Sequence, residues 1–253
     1  MSCDLETEEV IMRILIVRHG DPNYAIDSLT DKGWKEANLA ADLISKIDVK
    51  AFYVSPLGRA QDTANCTLEK MNRTSVTYDW LREFWPQINR PDQKNKKCCW
   101  DWLPVDWTKE PMYYDVNTWA DTEIMSEGNV KEAYDYVCQE LDTLLNSYGY
   151  VRENNYYRVE KANNDTIVFF CHYGIECVLL SHLLNISPML LWHGFCAAPA
   201  SITTIYTEER RKGVASWRIS AFGDTSHLYA GGEEPSFSAR FCQCYDNFEE
   251  RHD

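Results

Sequence analysis

Residues 13–22 read RILIVRHGDP. Four branched apolar residues, the composition of a strand buried on both faces, run without a turn into an arginine, a histidine and a glycine. A strand that served only the core would give way to bland turn residues. A polar ending fits a strand that carries those side chains to the edge of a sheet, where ligands of parallel α/β proteins gather.

Four further segments share the apolar, β-branched and aromatic character: 51–54 AFYV, 166–171 TIVFFC, 202–206 ITTIY and 217–222 WRISAF. Helical spacing lies between them. Trp34, Ala37, Ala41, Ile44 and Ile47 recur at steps of three and four over 31–47, with Thr30 or Asp31 available as a cap. A second helix is expected over 58–71. A third, over 127–148, carries Val130, Ala133, Tyr134, Val137, Leu141, Leu144 and Leu145 on one face, and a fourth, 174–184, is apolar almost throughout. Alternating strands and helices predict an α/β fold, a three-layer α/β/α sandwich around a mainly parallel central sheet.

Residues 72–126 break the rhythm. They hold Trp80, Trp85, Trp100, Trp102, Trp107 and Trp119, six of the chain's nine tryptophans. So aromatic a segment is not disordered, and long insertions in compact domains are commonly functional. The expectation is a Trp-rich inserted cap over the C-terminal ends of the strands, within a single domain spanning 1–253.

A net charge of −14 argues against a nucleic-acid partner. No run approaches eighteen apolar residues, so no membrane-spanning helix is expected. The acidic start MSCDLETEEVIMR lacks a signal peptide's basic and apolar regions, which places the protein in the cytoplasm. Ten cysteines are scattered without CxxC spacing and read as reduced thiols. Arg90, Lys94, Lys96 and Lys97 form a local basic run, expected to be a solvated face.

Three strands end in residues that carry chemistry. The first ends in Arg18-His19-Gly20, the second leads into SPLGRAQDTA (55–64) with Arg59 in the first turn of a helix, and the third into Cys171-His172-Tyr173-Gly174. Two histidines and two arginines thus converge on one end of the sheet. Phosphoryl transfer wants this set. Guanidinium forks grip phosphate oxygens, helix N-termini add N–H donors, and a neutral imidazole is a competent nucleophile. His182, His193, His227 and Ser201 are read as structural.

With LTDKGWKEA at 29–37, LRE at 81–83 and GDTSHL at 223–228 added, the sequence resembles the histidine phosphatase superfamily, in its phosphoglycerate mutase-like branch (branch 1). The resemblance implies His19 as nucleophile, forming a phosphohistidine, with Arg18, Arg59 and His172 holding the phosphoryl group. It implies Glu83 as the acid that protonates the leaving alcohol and then activates water, with Asp79 as rival. No metal and no cofactor is implied.

Where cofactor-dependent phosphoglycerate mutases follow RHG with Glu-Ser and Trp-Asn pairs, this chain has RHGDPNYAIDSLT; where their acid is followed by Tyr-Gly-x-Leu, it has LREFWPQINRPD. These departures favour a metal-independent phosphomonoester phosphatase acting on a small phosphorylated metabolite. Phosphoglycerate mutase-type transfer, or a non-catalytic phospho-ligand-binding protein, are the alternatives.

Overall fold

A computed structural model describes residues 10–236; Cys3, Cys242 and Cys244 lie outside the described residues. The strands, in chain order, are β1 (Arg13–Arg18), β2 (Pro22–Asn23), β3 (Ser28–Leu29), β4 (Ala51–Val54), β5 (Val76–Thr77), β6 (Gln87–Ile88), β7 (Lys97–Cys98), β8 (Tyr150–Glu153), β9 (Tyr156–Val159), β10 (Thr166–Cys171), β11 (Ile202–Arg211) and β12 (Val214–Asp224). The helices are α1 (Asp31–Ile44), α2 (Gly58–Met71), α3 (Pro104–Trp107), α4 (Glu123–Glu127), α5 (Val130–Ser147), α6 (Tyr173–Leu184), α7 (Pro188–Gly194) and α8 (Ser226–Ala230).

One eight-stranded sheet, ordered β5-β4-β10-β1-β11-β12-β9-β8, forms the middle layer. Its two halves differ. β5, β4, β10 and β1 pair in parallel, as expected, and this half carries the site. From β1 outward through β11, β12, β9 and β8 every pairing is antiparallel, so the sheet as a whole is mixed. The cause is connection length. Only Lys212 and Gly213 separate β11 from β12, with Gly213 at φ 85°, and a two-residue link can join only antiparallel neighbours.

The continuous apolar runs are explained by burial on both faces. Ile14, Ile16, Tyr53, Ile167 and Phe169 enter the larger core with α5 and α6, while Leu15, Val17, Phe52, Val54, Val168 and Phe170 pack on Ala40, Ile44, Ala64 and Leu68 of α1 and α2. Thr30 caps α1 by accepting the Gly33 N–H at 3.0 Å. α5 starts later than its apolar spacing predicts, because Gly128 and Asn129 (φ 50°) interrupt the turn before Val130.

The 72–126 segment does more than cover a strand end. Trp80, Trp100, Trp102, Trp107 and Trp119 are buried in the larger core, and Trp119 meets Trp192 of α7 edge-on at 5.5 Å. Arg90 departs from the expected solvated basic run. It is buried, ion-paired with Asp92 at 2.9 Å and donating to the Trp100 carbonyl at 2.5 Å, and so ties the segment together. Lys94, Lys96 and Lys97 are exposed as expected. Among the described residues the cysteines are free, and no helix is long and apolar enough to cross a membrane.

Candidate active site

Register assembles the site. Arg18 pairs with Cys171 across β1 and β10, and Val54 pairs with Phe170 across β4 and β10. The residues one step beyond each strand, His19, Ser55 and His172, are therefore neighbours. The two imidazoles lie 5.1 Å apart, centroid to centroid, and Ser55 Oγ lies 2.8 Å from His172 Nε2. The His19 N–H donates to the Cys171 carbonyl at 3.0 Å, extending the ladder to the site's edge.

Gly20 lets this loop lie against α1. A Cβ there would fall 2.6 Å from the Gly33 carbonyl oxygen. Its N–H donates to the buried Thr63 hydroxyl at 3.0 Å, and Thr63 in turn donates to the Arg59 carbonyl at 2.7 Å. Thr63 thus links the loop of His19 to the helix of Arg59.

Each polar group has a definite state. His19 Nδ1 lies 2.8 Å from the Gly20 carbonyl, which can only accept, so Nδ1 carries the proton and Nε2 the lone pair. Burial, with the Arg18 and Arg59 charges, holds His19 well below the ordinary histidine value and keeps it neutral. His172 is pushed down likewise, by burial first and then by His19 and the two arginines. Ser55 Oγ accepts the Leu57 N–H at 3.2 Å and shares a hydrogen bond with His172 Nε2. His172 Nδ1 is buried and has no partner.

The guanidinium groups show the same pattern. Arg18 donates from Nη1 to the Ala197 carbonyl at 2.6 Å, and Arg59 from Nη1 to Asp27 at 2.6 Å. The Nε of each is buried without a partner. A buried donor left unpaired costs about 1–3 kcal/mol. Two such donors, from Arg18 and Arg59, and the unpartnered His172 Nδ1 lie in the segments that follow β1, β4 and β10. An oxyanion with several acceptor oxygens is the ligand that satisfies them.

Glu83 faces this group from the 72–126 segment. Its Oε1 accepts from the N–H of Phe84 at 2.8 Å and of Ile175, in the first turn of α6, at 3.0 Å. Burial raises its carboxyl above the usual carboxylate range, outweighing those N–H groups and the two arginines. Asp79, the rival acid, is largely exposed and tied to Arg82 at 2.6 Å, so the structure does not bring it to the site. Arg18, Arg59, Arg82 and Glu83 line a cavity of about 430 Å³ with Tyr24, Leu57, Trp85, Trp100 and Tyr173.

The structure therefore brings together all five residues singled out from the sequence: Arg18, His19, Arg59, Glu83 and His172. Sequence reading passed over Ser55, Thr63 and Asp27. The first two sit inside SPLGRAQDTA, at the strand end and one helical turn past Arg59. Asp27 also accepts the Gly58 N–H at 2.7 Å; that bond and Arg59 overcome its burial and hold its carboxyl below the usual range.

His193 lies outside the cavity lining. It accepts the Trp102 N–H at 3.0 Å and stacks on Trp107 at 4.9 Å, pinning the 72–126 segment to α7. His182 pairs with Asp142 at 2.8 Å between α6 and α5. His227 is buried in α8, and Ser201 is buried with its carbonyl accepting the Arg18 N–H at 3.2 Å.

Residues 14–127 match the model of the histidine phosphatase superfamily (branch 1). That match covers a little under half of the chain. A curated relative, the 2,3-bisphosphoglycerate-dependent phosphoglycerate mutase of Thermoplasma acidophilum, is 34% identical over 80 residues, 28% of this chain. That match spans only 40% of the mutase's length. Among solved structures, the chain resembles a mycobacterial glucosyl-3-phosphoglycerate phosphatase, with a TM-score of 0.56, 17% identity, and coverage of 85% of this chain and 100% of the other. It also resembles the phosphoserine phosphatase of Entamoeba histolytica, solved with 3-phosphoglyceric acid, at a TM-score of 0.55 and 19% identity, covering 86% and 99%. At these identities the likeness is one of fold, a three-layer α/β/α sandwich.

Proposed function

We propose that the protein is a metal-independent phosphomonoester phosphatase working through a phosphohistidine on His19. The observation that carries this reading is the pair of buried, unpartnered donors, Arg18 Nε and Arg59 Nε, with the unpartnered His172 Nδ1, beside a neutral imidazole whose Nε2 holds its lone pair. His19 Nε2 attacks phosphorus while the ester P–O bond breaks, and the leaving oxygen takes the proton of Glu83. Water then attacks the phosphohistidine and gives a proton to Glu83. Inorganic phosphate leaves, and His19 and Glu83 are restored. Arg18, Arg59 and His172 hold the equatorial oxygens through both steps.

Hydrolysis is favoured over mutase transfer by the cavity wall. Beyond Arg18 and Arg59 the lining offers one further cation, Arg82, and that is paired with Asp79. A mutase needs cationic groups for a second phosphate or a carboxylate. The substrate is a small phosphorylated metabolite.

The test is phosphate release from a panel of monoesters, with acid-quench trapping of the phosphohistidine, beside a mutase assay with added 2,3-bisphosphoglycerate. The expected result is phosphate release by the wild type and none by His19→Ala at unchanged melting temperature. Isomerisation dependent on bisphosphoglycerate would replace the phosphatase reading. Phospho-ligand binding without turnover would make the protein a binder.

A further inference from the structure

Four aromatic residues, Tyr24, Trp85, Trp100 and Tyr173, line the cavity. Tyr173 lines the cavity, and its hydroxyl has three carbonyl acceptors within reach for its one proton, Leu191, Trp192 and Phe195 at 3.1, 2.9 and 2.8 Å. Trp100 donates its indole N–H to the Phe84 carbonyl at 2.6 Å and meets Tyr173 edge-on at 6.1 Å. Trp85 stands perpendicular to Trp100, with centroids 5.6 Å apart, and is 52% exposed. Across the mouth Tyr24, 58% exposed, lies over Arg59 at 5.4 Å. Trp85 and Tyr24, each more than half exposed, thus present ring surface at one cavity.

We propose that the substrate is a phosphate ester whose leaving group carries a planar aromatic ring, seated against Trp85 and Tyr24; this rests on the phosphatase reading above. The cavity is large enough for more than a phosphate, since 430 Å³ lies in the range of small-molecule sites. With the phosphoryl group on Arg18 and Arg59 and its ester oxygen at Glu83, the rest of the substrate extends along this wall. A ring finds offset and edge-on partners there. A carboxylate, the alternative handle of a small phospho-acid, finds only Arg82, already engaged by Asp79 at 2.6 Å.

Isothermal titration of the full chain with benzylphosphonate, ethylphosphonate and cyclohexylmethylphosphonate tests this without needing turnover. Benzylphosphonate should bind at least tenfold tighter than ethylphosphonate, and also tighter than the cyclohexyl compound. Trp85→Ala should remove most of the difference, Trp85→Phe should keep it, and Tyr24→Ala should reduce it. Equal affinities, a cyclohexyl ring binding as well as benzyl, no binding of any phosphonate, or selectivity untouched in both alanine variants would overturn the proposal.

Phosphate release from 4-methylphenyl phosphate and from a phosphotyrosyl peptide, each set against ethyl phosphate, then shows whether the ring comes from a small ester or a protein side chain. Ring-selective binding with no release of phosphate would keep the ring-binding wall but remove the phosphatase reading, and with it the ring's place in a leaving group. Release with no ring selectivity would do the reverse.

Discussion

The carboxylate of Glu83 and the backbone N–H of Ile175, ninety-two positions apart in the chain, meet at 3.0 Å. The contact fixes the candidate acid to the first turn of α6, immediately after His172, and so beside the phosphoryl-holding group. Because both N–H bonds fall on one oxygen, Oε1, a glutamine keeps them and loses only the transferable proton. Glu83→Gln should therefore slow esters of poor leaving groups, such as ethyl phosphate, by about a hundredfold or more, and 4-nitrophenyl phosphate by less than tenfold. In the wild type, turnover of poor leaving groups should fall as pH rises and Glu83 loses its raised-pKa proton. That limb should vanish in the variant. Equal losses on both esters would take proton donation away from Glu83.

Gly174 makes room for that carboxylate. A Cβ at 174 would lie 2.6 Å from Glu83 Oε1 and 2.8 Å from Trp100 Nε1, closer than real contacts allow. Gly174→Ala should push the acid off its N–H donors and reproduce the leaving-group selectivity of Glu83→Gln, with a loss of about tenfold in kcat for ethyl phosphate. Steady-state kinetics on the same two esters check it; an unchanged ratio would show that the acid tolerates displacement.

Ser55 acts through His172. Its Oγ accepts from Leu57 and bonds to Nε2 at 2.8 Å, which orients the imidazole and sets its tautomer. Ser55→Ala removes that hold. The expected outcome is a fall in kcat of about tenfold to a hundredfold, the scale of losing one aligned donor to a transition state. Nitrogen NMR of His172 should show a changed tautomer. A lost rate with the tautomer unchanged would assign Ser55 some other role.

The part of this site legible in the sequence was the part that strand endings announce. β1, β4 and β10 are buried on both faces, so their apolar runs have sharp ends, and the residues just beyond them had to lie together. The pairing of the sheet's other half was less visible. The hairpin β8–β9 reads YVRENNYYRVE, whose charged alternation reflects a solvated side at the margin of the sheet, where β8 is the edge strand, and it was passed over. Its signal was the Asn154-Asn155 turn, with Asn154 at φ 53°. Trp34 fits the apolar spacing of α1, yet it is 39% exposed while Glu36 is buried. That inversion arises because Glu36 accepts the N–H groups of Asp21 and Ser236 at 2.8 and 2.9 Å, contacts from segments no local pattern connects. Arg90 misled for the same reason: only the fold brings Asp92 and the Trp100 carbonyl around it.

Burial of carboxyl groups also predicts how stability responds to pH. Glu176 is buried behind the site, with Thr203 donating to its Oε1 at 2.5 Å, and burial pushes its carboxyl up to about 7 against that bond and the Arg18 charge. An unfolded glutamic acid loses its proton near pH 4.3. Between the two values the native protein holds a proton the unfolded chain has released, so this contribution is full at low pH and lost as pH rises to about 7. The magnitude is on the order of 3 kcal/mol. Burial raises Glu36 to about 7 as well, and it acts in the same direction. His19 and His172 act oppositely: both are neutral in the native state, so their contribution is present above about 6.5 and lost as pH falls. The wild-type curve mixes these slopes, but Glu176→Gln keeps the Thr203 bond and removes one of them. The variant's melting temperature minus the wild type's should become more positive by several degrees between pH 5 and pH 8. Thermal melts across that range measure it, and a flat difference would mean that Glu176 changes no protonation on folding.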